Sequence, residues 1–378
     1  MNKILMAERH SYKKSEYKIG CHHYAKLLSQ QGYELLWLTP TYSHMYKFVD
    51  KKFYDCMKDV NNDNFVELDK NIYGYSPYSI VPYVNYPFLK SKVAAYLNVK
   101  LTVPNINKTL RNNKFDKVDI LWLDFVKYYY LINTVKYKKL VYRCNDDLSG
   151  FKNMPKSMLD FEEKIIRKAD VVFVTSKDLM EKKSHIRNDL VYLPNGVELD
   201  NFERVKYKLP REFQNNKKKC IYIGAIADWI DLDLIKYTAL TLKDIDFYFI
   251  GHITIELDEL KNIKNIKMLG TKPYEEIPNY LYFSDVAIIP FKINNLTNSI
   301  SPVKLYEYMS LGLNVVTTDF KEMSYMKSPA LISKDKNEFV NNIKLAIEKI
   351  NFKNKNIEYA KKNAWQSRIE VIKQYLRG

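Results

Sequence analysis

The order of apolar and polar residues constrains the fold of this chain more than any other feature. Short apolar runs of strand length alternate with longer amphipathic stretches, and this alternation is typical of β-α-β units with parallel sheets. The pattern runs through the first half of the chain and starts again near residue 220. We therefore predict an α/β protein with two doubly wound, Rossmann-like domains that face each other across a cleft.

Most elements of both halves can be assigned from this pattern. The predicted strands of the first half are Lys3–Ala7, Glu34–Thr39, Asp119–Phe125, Lys139–Asn145, Asp170–Thr175 and Val191–Pro194, with helices at Ile19–Gln30 and Ser157–Lys168. Those of the second half are Cys220–Ile223, Phe247–Ile250, Ile266–Leu269, Val286–Pro290 and Asn314–Thr317, with helices near Asp231–Leu242 and Glu275–Phe283.

A polar segment marks the boundary between the two halves. Residues Asp200–Lys219 include Pro210 and the run Asn215–Lys219, and this composition favours a linker. We predict one domain over residues 1–200 and a second over residues 201–356. The last helix, at about residues 357–378, has one apolar face and is predicted to pack back on the first domain.

The net charge of +16 restricts the classes of partner. A surplus of this size suits nucleic acid, an anionic membrane surface or a polyanionic substrate, although lysines spread along the whole chain also fit a compositional bias. The sequence holds no helix-turn-helix or RNP-type signature, so a nucleic-acid-binding protein is the weaker alternative.

The lack of a recognisable secretory signal and the spacing of the cysteines both favour a reducing compartment. No run of about 18 apolar residues occurs, and the first apolar run ends at Glu8, which is too short for a secretory signal. We expect a cytoplasmic protein. The four cysteines contain no C-x-x-C pair, so free buried thiols are expected rather than disulfides or a zinc site. They are Cys21, Cys56, Cys144 and Cys220.

The segment from Ser301 to Val316 carries the strongest chemical signal. Ser301 is predicted as the N-cap of a helix and Pro302 as its first residue, and Gly312 is placed to end it. A helix N-terminus can hold a diphosphate, because it presents unpaired N–H groups and a partial positive charge. The Lys304 ammonium could reach the same phosphates, and the Glu307 carboxylate could accept hydrogen bonds from a ribose. Taken alone, both residues also fit a solvated lysine and an ordinary i, i+3 partner.

Together with three further motifs, this segment resembles the glycosyltransferase B-fold (GT-B) enzymes. Their C-terminal helix reads K-x-x-E-Y followed by small-x-G-x-P-V-V, and here the same pattern begins at Lys304, with Asn314 in place of the proline. The other motifs, in chain order, are Ala169-Asp170 with Ser176, Pro194-Asn195-Gly196-Val197 with Phe202, and Ile223-Gly224-Ala225-Ile226. The resemblance covers about residues 139–316. It implies a transferase whose N-terminal domain binds the acceptor and whose C-terminal domain binds a nucleotide-sugar.

The resemblance also implies the donor site. The expected donor contacts are Gly224, Ala225, Pro290, Phe291, Ser301, Val303, Lys304 and Glu307. Such a site needs no metal ion or other cofactor, and the Asp231-Leu232-Asp233 sequence opens a helix rather than forming a D-x-D metal loop.

Two features bear on the branch of this group. Retaining members carry a glutamate eight residues before the helix glutamate, and Ser299 stands there in this chain. The segment Ser15-Glu16-Tyr17-Lys18 to Ala25, with Gln31-Gly32-Tyr33, resembles the xanthan-type β-glucuronosyltransferases. That resemblance implies a membrane-associated inverting enzyme that adds glucuronate to a lipid-linked oligosaccharide.

Inverting transfer needs a general base, and Asp146 and Asp147 are the best candidates. Both follow the predicted strand Lys139–Asn145, so they should lie at the carboxyl end of the sheet, where a carboxylate can take the proton of the acceptor hydroxyl. Either residue could instead cap the next turn, and the sequence does not choose between them. On the acceptor side we expect His10, Lys18 and Gly20, in the loop after the first strand.

These observations predict the following function. The chain is expected to transfer a sugar, with glucuronate as the candidate, from a UDP-sugar to a saccharide or lipid-linked oligosaccharide in surface polysaccharide synthesis, with inversion. A retaining enzyme of the same fold and a non-catalytic nucleotide-sugar-binding protein are the alternatives. The basic and aromatic segment Pro77–Leu101 fits an ordinary packed helix, or a surface that binds the inner face of an anionic membrane peripherally.

Overall fold

The computed structural model describes residues 2–15, 18–58, 60–61, 64–151 and 154–376. Glu16 and Tyr17 of the N-terminal motif lie outside the described residues, as do the outermost ends of the predicted first domain and last helix. The described chain forms two compact units. Unit 1 comprises the chain up to Thr175, Leu179–Leu193 and the chain end from Ile369, and unit 2 comprises Ser176–Asp178 and Pro194–Arg368.

Unit 1 is built from ten strands and seven helices within the described ranges. The strands are β1 (Lys3–Ala7), β2 (Glu34–Leu38), β3 (Val66–Asp69), β4 (Ile72–Tyr75), β5 (Tyr78–Ser79), β6 (Thr102–Val103), β7 (Lys117–Leu123), β8 (Lys136–Cys144), β9 (Val171–Val174) and β10 (Val191–Tyr192). The helices are α1 (Gly20–Gln30), α2 (Tyr46–Val49), α3 (Lys51–Lys58), α4 (Lys92–Lys100), α5 (Ile106–Asn112), α6 (Lys156–Lys168) and α7 (Lys177–Lys183), the last of which begins among residues of unit 2. Two 3-10 helices span Val126–Asn133 and Leu148–Gly150.

The main sheet of unit 1 has the order β10-β9-β8-β7-β1-β2-β4-β3. All neighbours are parallel except the edge pair β3 and β4. The C-terminal parts of its central strands are buried, as expected for a parallel sheet covered on both faces. Because β1, β7 and β8 are neighbours, the residues that follow them, Glu8, Asp124 and Asn145, come to one edge of the sheet.

Unit 2 repeats the architecture with a wholly parallel six-stranded sheet. Its strands are β11 (Lys218–Ile223), β12 (Ile245–Ile250), β13 (Ile266–Gly270), β14 (Val286–Ile289), β15 (Val315–Thr318) and β16 (Leu331–Ser333), in the order β13-β12-β11-β14-β15-β16. Its helices are α8 (Leu199–Phe202), α9 (Leu232–Thr241), α10 (Ile277–Tyr282), α11 (Asn295–Asn298), α12 (Val303–Ser310), α13 (Lys321–Met326), α14 (Lys336–Glu348), α15 (Lys353–Lys362) and α16 (Trp365–Leu376), which continues into unit 1. Two 3-10 helices span Arg211–Phe213 and Tyr274–Glu276.

The structure confirms the predicted α/β class with parallel, doubly wound sheets. The chain passes from unit 1 to unit 2 at Pro194, a few residues before the polar segment 200–219. All four cysteines are free thiols, and Cys56 is the half-buried one. None of the helices in the described ranges has the length and apolar content needed to cross a bilayer.

Candidate functional site

In unit 2, Lys304 lies where two neighbouring strands end. β11 ends at Ile223 and is followed by Gly224, while β14 ends at Ile289 and is followed by Pro290 and Phe291. The half-buried Lys304 ammonium lies 5.5 Å from the centre of the Tyr222 ring and 5.0 Å from that of Phe291. Lys304 forms no salt bridge with any described residue, and burial lowers the pKa of its amine to about 8. An ammonium framed by aromatic rings and lacking a carboxylate partner is available to an anionic ligand.

The start of α12 differs from the sequence prediction. The helix begins at Val303, with Pro302 in extended conformation as the N-cap and no side-chain capping bond. The prediction of Ser301 as the N-cap was wrong. The Ser301 hydroxyl accepts a hydrogen bond from the Asn195 N–H at 3.0 Å, and the Ser301 carbonyl accepts one from the Asn195 side-chain amide at 2.9 Å. Ser301 is therefore committed to holding the Pro194-Asn195-Gly196 segment, which leaves the N–H groups of the first helical turn uncapped by a side chain.

Glu307 lies one helical turn after Lys304 and has a different environment. Its carboxylate accepts a hydrogen bond from the Tyr274 hydroxyl at 3.3 Å. Burial raises the pKa of Glu307 to about 7, against the opposing effect of Lys304, and the Glu198 carboxylate raises it further. A carboxyl group of this kind can accept hydrogen bonds from a diol while remaining close to a cation.

The backbone beside Lys304 has no room for a side chain. A Cβ added to Gly224, whose φ is +145°, would lie 3.0 Å from the Lys304 Cε atom. A Cβ on Gly251, the residue after β12, would lie 2.0 Å from the Gly224 carbonyl oxygen. The Ala225 carbonyl accepts a hydrogen bond from the Tyr222 hydroxyl at 3.0 Å, and the Pro290 carbonyl accepts one from the Asp231 N–H at 2.9 Å. The predicted donor contacts Gly224, Ala225, Pro290 and Phe291 therefore follow the neighbouring strands β11 and β14, while Val303 and Lys304 begin α12.

Two departures from the GT-B pattern have structural explanations. Ser299 is buried, and its hydroxyl donates to the Asp178 carboxylate at 2.5 Å, so it is engaged in a structural contact. Asn314, where proline is usual, donates from its amide to the carbonyls of Ala346 and Ile350 at 2.8 and 2.7 Å. This amide holds the C-terminal end of α14 against the start of β15, a contact that proline could not make.

In unit 1, the two candidate bases have different environments. Asp147 is buried and caps the 3-10 helix that follows, because its carboxylate accepts hydrogen bonds from the Ser149 N–H at 3.1 Å and from the Ser149 hydroxyl at 2.5 Å. Lys182 of α7 completes the cage with a 2.8 Å ion pair. Burial alone would raise the pKa of Asp147, but the hydrogen bonds from Lys182 and Ser149 outweigh it and hold the pKa below its usual value.

Asp146 is exposed at the surface of the described chain. The pKa of its carboxyl is raised, because the surrounding protein limits hydration, although Arg143 and Arg9 oppose the rise and Asp147 adds to it. A solvent-accessible carboxyl with a raised pKa fits the requirements for a general base better than a caged one. Capping, which the sequence analysis offered as the alternative for either aspartate, is observed for Asp147.

A buried cluster lies at the ends of β1 and β7. The Asp124 carboxylate accepts hydrogen bonds from Arg143 Nη1 at 3.3 Å, from the Asn145 amide at 3.4 Å, from Trp122 Nε1 at 2.9 Å and from the Cys21 thiol. One potential ligand atom each from Glu8, Cys21 and Asp124 lies within 4.8 Å of the others. These three residues are close enough together to coordinate a metal ion, but Asp124 already forms an ion pair with Arg143.

The predicted acceptor-side residues are placed at different depths. Gly20 is buried beneath Arg143, since a Cβ there would lie 2.7 Å from Arg143 Nη2. His10 is half-buried, and its carbonyl accepts a hydrogen bond from Trp37 Nε1 at 2.8 Å. Burial, and then Arg9 and His22, lower the pKa of His10 to about 4. Lys18 is exposed and contributes to the lowered pKa of His22.

Family models match both units. Residues 6–175 match the model of the N-terminal domain of the glucuronosyltransferase GumK, and residues 217–349 match the model of the glycosyl transferases group 1. The chain has the GT-B fold and resembles GumK. Both matched models are described as those of glycosyltransferases.

One curated relative and several solved structures are similar to this GT-B chain. TuaH of Bacillus subtilis (strain 168), a protein assigned as a teichuronic acid biosynthesis glycosyltransferase, is 26% identical over 228 residues, which are 55% of this chain and 57% of TuaH. Sucrose-phosphate synthase from Thermosynechococcus elongatus has a TM-score of 0.71 at 10% identity, covering 100% of this chain and 98% of that one. HepE of Anabaena, solved with UDP and glucose, has a TM-score of 0.66 at 15% identity and covers 100% and 99%.

Three neighbours of the unit 2 site were missed by the sequence analysis. The Tyr222 ring lies beside Lys304. The hydrogen bond from Tyr274 lowers the pKa of Glu307, and the Glu198 carboxylate raises it. None of them lies on α12, so helical spacing gave no signal for them. Tyr222 immediately precedes the Ile223-Gly224 motif and was the one within reach of the sequence argument.

Proposed function

We propose that this chain is an inverting glycosyltransferase that moves a sugar from a UDP-sugar to a saccharide or lipid-linked oligosaccharide in surface polysaccharide synthesis. The observation that carries the proposal is the Lys304 ammonium, which stands at the side-chain-uncapped start of α12 with no carboxylate partner among the described residues. The first-turn N–H groups and this ammonium suit the two phosphates of UDP. HepE, which shares the fold, was solved with UDP and with UDP-glucose.

The proposed reaction uses residues of both units. The Asp146 carboxylate takes the proton of the acceptor hydroxyl as its oxygen bonds to the anomeric carbon, and the bond between that carbon and the diphosphate oxygen breaks. UDP leaves with the bonding electrons, and Lys304 with the α12 N-terminus stabilises the charge that develops on it. Glu307 accepts hydrogen bonds from the ribose. No step requires a metal ion or another cofactor.

Glucuronate is our candidate for the transferred sugar, and it is supported by the match of residues 6–175 to the GumK N-terminal domain. A thermal-shift screen of UDP-glucuronate, UDP-glucose, UDP-galactose and GDP-mannose tests this choice. The largest stabilisation is expected from UDP-glucuronate, and an equal or larger shift with another donor would replace it.

Transfer and donor binding can be separated by substitution. Asp146→Asn should abolish transfer and leave UDP affinity unchanged, because the base is needed only for the acceptor. Asp200→Asn, at an exposed acidic residue within the short helix α8, is the control and should transfer normally. The proposal of Asp146 as base fails if the Asp146→Asn enzyme turns over at the wild-type rate.

The anomeric configuration of the product decides between inversion and retention. Proton NMR coupling of the new linkage reports it directly. A retaining enzyme would carry a glutamate eight residues before Glu307. This chain has Ser299 at that position, and its hydroxyl donates a hydrogen bond to Asp178. A product with the anomeric configuration of the donor would establish the retaining alternative.

We also propose that unit 1 docks on an anionic membrane surface through the segment 80–103. Large apolar side chains of this segment are exposed, among them Phe88 at 90%, Val93 at 67% and Ile80 at 62%. Lys90, Lys92 and Lys100 are exposed in the same stretch. Aromatic and aliphatic side chains next to lysines match the chemistry of an anionic bilayer interface, and the net charge of +16 acts in the same direction.

Vesicle co-sedimentation tests the docking proposal. Wild-type protein should bind vesicles of phosphatidylglycerol and phosphatidylcholine at low salt, and Phe88→Ser with Val93→Ser should weaken binding. Val205, a fully exposed residue of unit 2, provides the control substitution Val205→Ser. Equal binding of all three proteins, or no binding by wild type, would overturn this proposal.

A further inference from the structure

Two tyrosines of unit 2 form a stacked pair at its surface. The Tyr207 and Tyr282 rings are nearly parallel, with 9° between their planes and 4.0 Å between their centres. The Tyr207 hydroxyl accepts a hydrogen bond from the Arg204 N–H at 3.0 Å. The next residue, Lys208, is fixed to α10, because its N–H donates to the Asn279 side chain at 2.9 Å. These bonds hold the Tyr207 ring in place against α10, which carries Tyr282.

The described chain leaves much of this pair uncovered. Tyr282 is 52% exposed although one of its faces packs on Tyr207. Val205 is fully exposed and Leu209 is 48% exposed, on either side of Tyr207 in the chain. We call these four residues the tyrosine surface. Exposed rings and aliphatic side chains gain free energy when a ligand covers them, so the tyrosine surface is a candidate binding surface.

The cations beside the tyrosine surface lack acidic partners. Two exposed lysines flank Tyr207 in the chain and form no ion pair with any described residue, namely Lys206 and Lys208. The two glutamates within residues 203–212 are already engaged, Glu203 with Lys361 at 3.3 Å and Glu212 with Lys272 at 2.8 Å. This stretch therefore presents unpaired positive charge next to exposed rings, and an anionic ligand would be attracted to it.

The tyrosine surface lies far from the surroundings of Lys304. α10 leads from the end of β13 to the start of β14, and Tyr282 is its last residue. Because the strands of this sheet are all parallel, β14 starts at the edge opposite to the one where β11 and β14 end. Lys304 lies at that second edge, beside Phe291. A ligand on the tyrosine surface would therefore not compete with a nucleotide at Lys304.

We propose that the tyrosine surface is a second saccharide-binding site, which holds an acidic stretch of the polysaccharide away from the donor edge. The C–H faces of sugar rings pack against aromatic rings, and the carboxylates of acidic sugars pair with Lys206 and Lys208. Proteins that bind single-stranded nucleic acid combine several stacking rings with a basic groove, whereas this surface offers one stacked pair. The choice of a polysaccharide as occupant rests on the proposed function.

Direct binding tests the proposal without requiring catalysis. Hyaluronan oligosaccharides, in which glucuronate alternates with N-acetylglucosamine, are the acidic probe, and dextran oligosaccharides of similar length are the neutral probe. Tyr282→Ser should weaken hyaluronan binding by about tenfold, because the exposed ring is lost. Tyr282→Phe, which keeps the ring, should bind as the wild type does. Isothermal titration of the full chain measures these affinities.

The contribution of charge is tested separately. Lys206→Gln combined with Lys208→Gln should weaken hyaluronan binding by roughly fivefold and make it less sensitive to salt. Lys344→Gln with Lys349→Gln, at two exposed lysines elsewhere in unit 2, is the matched control and should bind normally. Leu240→Ser, at a 49% exposed residue of α9, is the control for the loss of apolar surface. UDP affinity and the thermal unfolding midpoint should stay at the wild-type values in every variant.

The outcomes separate this inference from the proposed function. Hyaluronan binding that falls in Tyr282→Ser and in the Lys206 and Lys208 variant, but not in Tyr282→Phe or the controls, supports the site even if the chain transfers no sugar. No binding by the wild type, equal binding by Tyr282→Ser, or equal affinity for dextran overturns the site and leaves the transferase proposal in place. Tighter binding of oligothymidylate than of hyaluronan, through the same residues, overturns the saccharide in favour of nucleic acid.

Discussion

The sheet edges of the two units differ in whether their charged side chains form ion pairs. At the edge of unit 1, Asp124 pairs with Arg143 and Asp147 pairs with Lys182, at 3.3 and 2.8 Å. At the edge of unit 2, Lys304 is surrounded by aromatic rings and glycine backbone, and forms no salt bridge with a described residue. The same doubly wound architecture thus supports a densely paired edge and an edge with an unpaired cation.

This difference separates groups that maintain the fold from groups that are available to a ligand. Removal of one partner of a buried ion pair strongly destabilises the folded protein, because the other charge is left buried and uncompensated. The members of such a pair are therefore needed by the fold. A half-buried cation with no partner raises the free energy of the empty protein and is compensated when an anion binds. This contrast supports our proposal that the unit 2 edge binds the donor and that Asp146, the exposed carboxyl of the unit 1 edge, is the base.

The largest predicted effect is on nucleotide binding. Lys304→Ala should weaken UDP binding by about 100-fold, or about 3 kcal/mol, because a charge-assisted contact with a diphosphate is lost. Lys272→Ala is the matched control, since Lys272 of the same unit is already paired with Glu212 at 2.8 Å. Isothermal titration of both variants measures the difference. Equal affinities would contradict the contrast between a paired and an unpaired lysine.

The same cation should make binding pH-dependent. The pKa of Lys304 is lowered to about 8, so the ammonium is mostly present at pH 7 and mostly lost at pH 9. UDP affinity should therefore fall by about tenfold between pH 7 and pH 9. Lys304→Arg, which stays charged over this range, should remove the pH dependence, and a wild-type affinity that is constant with pH would exclude Lys304 as the responsible group.

A further effect is expected on stability, and it distinguishes the two aspartates. Asp147→Ala should lower the free energy of unfolding by about 2 kcal/mol at pH 7, because it removes a helix cap and the ion pair with Lys182. Asp146→Ala should change it by less than about 0.5 kcal/mol, as for an exposed side chain. Because the pKa of Asp147 is lowered in the folded state, its contribution is present above about pH 4 and is lost as the pH falls through the folded value. Urea unfolding with a probe in unit 1 measures both, and equal losses would contradict the assignment.

The smallest effect concerns a second buried lysine, in unit 1. Lys127 is 5% exposed, donates to the Thr41 hydroxyl at 3.1 Å, and burial lowers its pKa to about 7. Because the unfolded chain holds this proton up to about pH 10, the stability of unit 1 should rise by about 1 kcal/mol from pH 7 to pH 8. Lys127→Met should abolish the rise, whereas Lys100→Met, at an exposed lysine near the Tyr96 ring, should preserve it. A wild-type stability that does not change over this range would exclude such a pKa for Lys127.

The fold could be predicted from the sequence because its central strands are apolar runs. Strands β1, β2, β7, β8 and β9 fall within or close to their predicted ranges, since each contains a run of at least four buried residues. Strands β3, β4 and the short β5 and β6 were not predicted. β3 alternates half-buried and exposed residues, and β4 contains Gly74 at the position where Leu68 packs, so neither presents a continuous apolar run.

The candidate site was only partly accessible to sequence reasoning. Lys304 and Glu307 could be predicted because helical spacing fixes their relation on α12. The N-cap of that helix could not be predicted, because the Ser301 hydroxyl bonds to the Asn195 N–H, more than a hundred residues earlier in the chain. The difference between Asp146 and Asp147 likewise depends on Lys182, which belongs to α7. Contacts of this kind are set by tertiary packing and leave no periodic signal.

The close approach of Gly251 to Gly224 has a consequence for engineering the proposed donor site. The turn after β12 presses directly on the peptide that adjoins the Lys304 side chain, with a clearance smaller than one methyl group. Alanine at position 251 would therefore push this peptide toward the ammonium without touching any ligand. A change in the turn after β12 would then alter the affinity of Lys304 for an anionic ligand without changing the charge of the site.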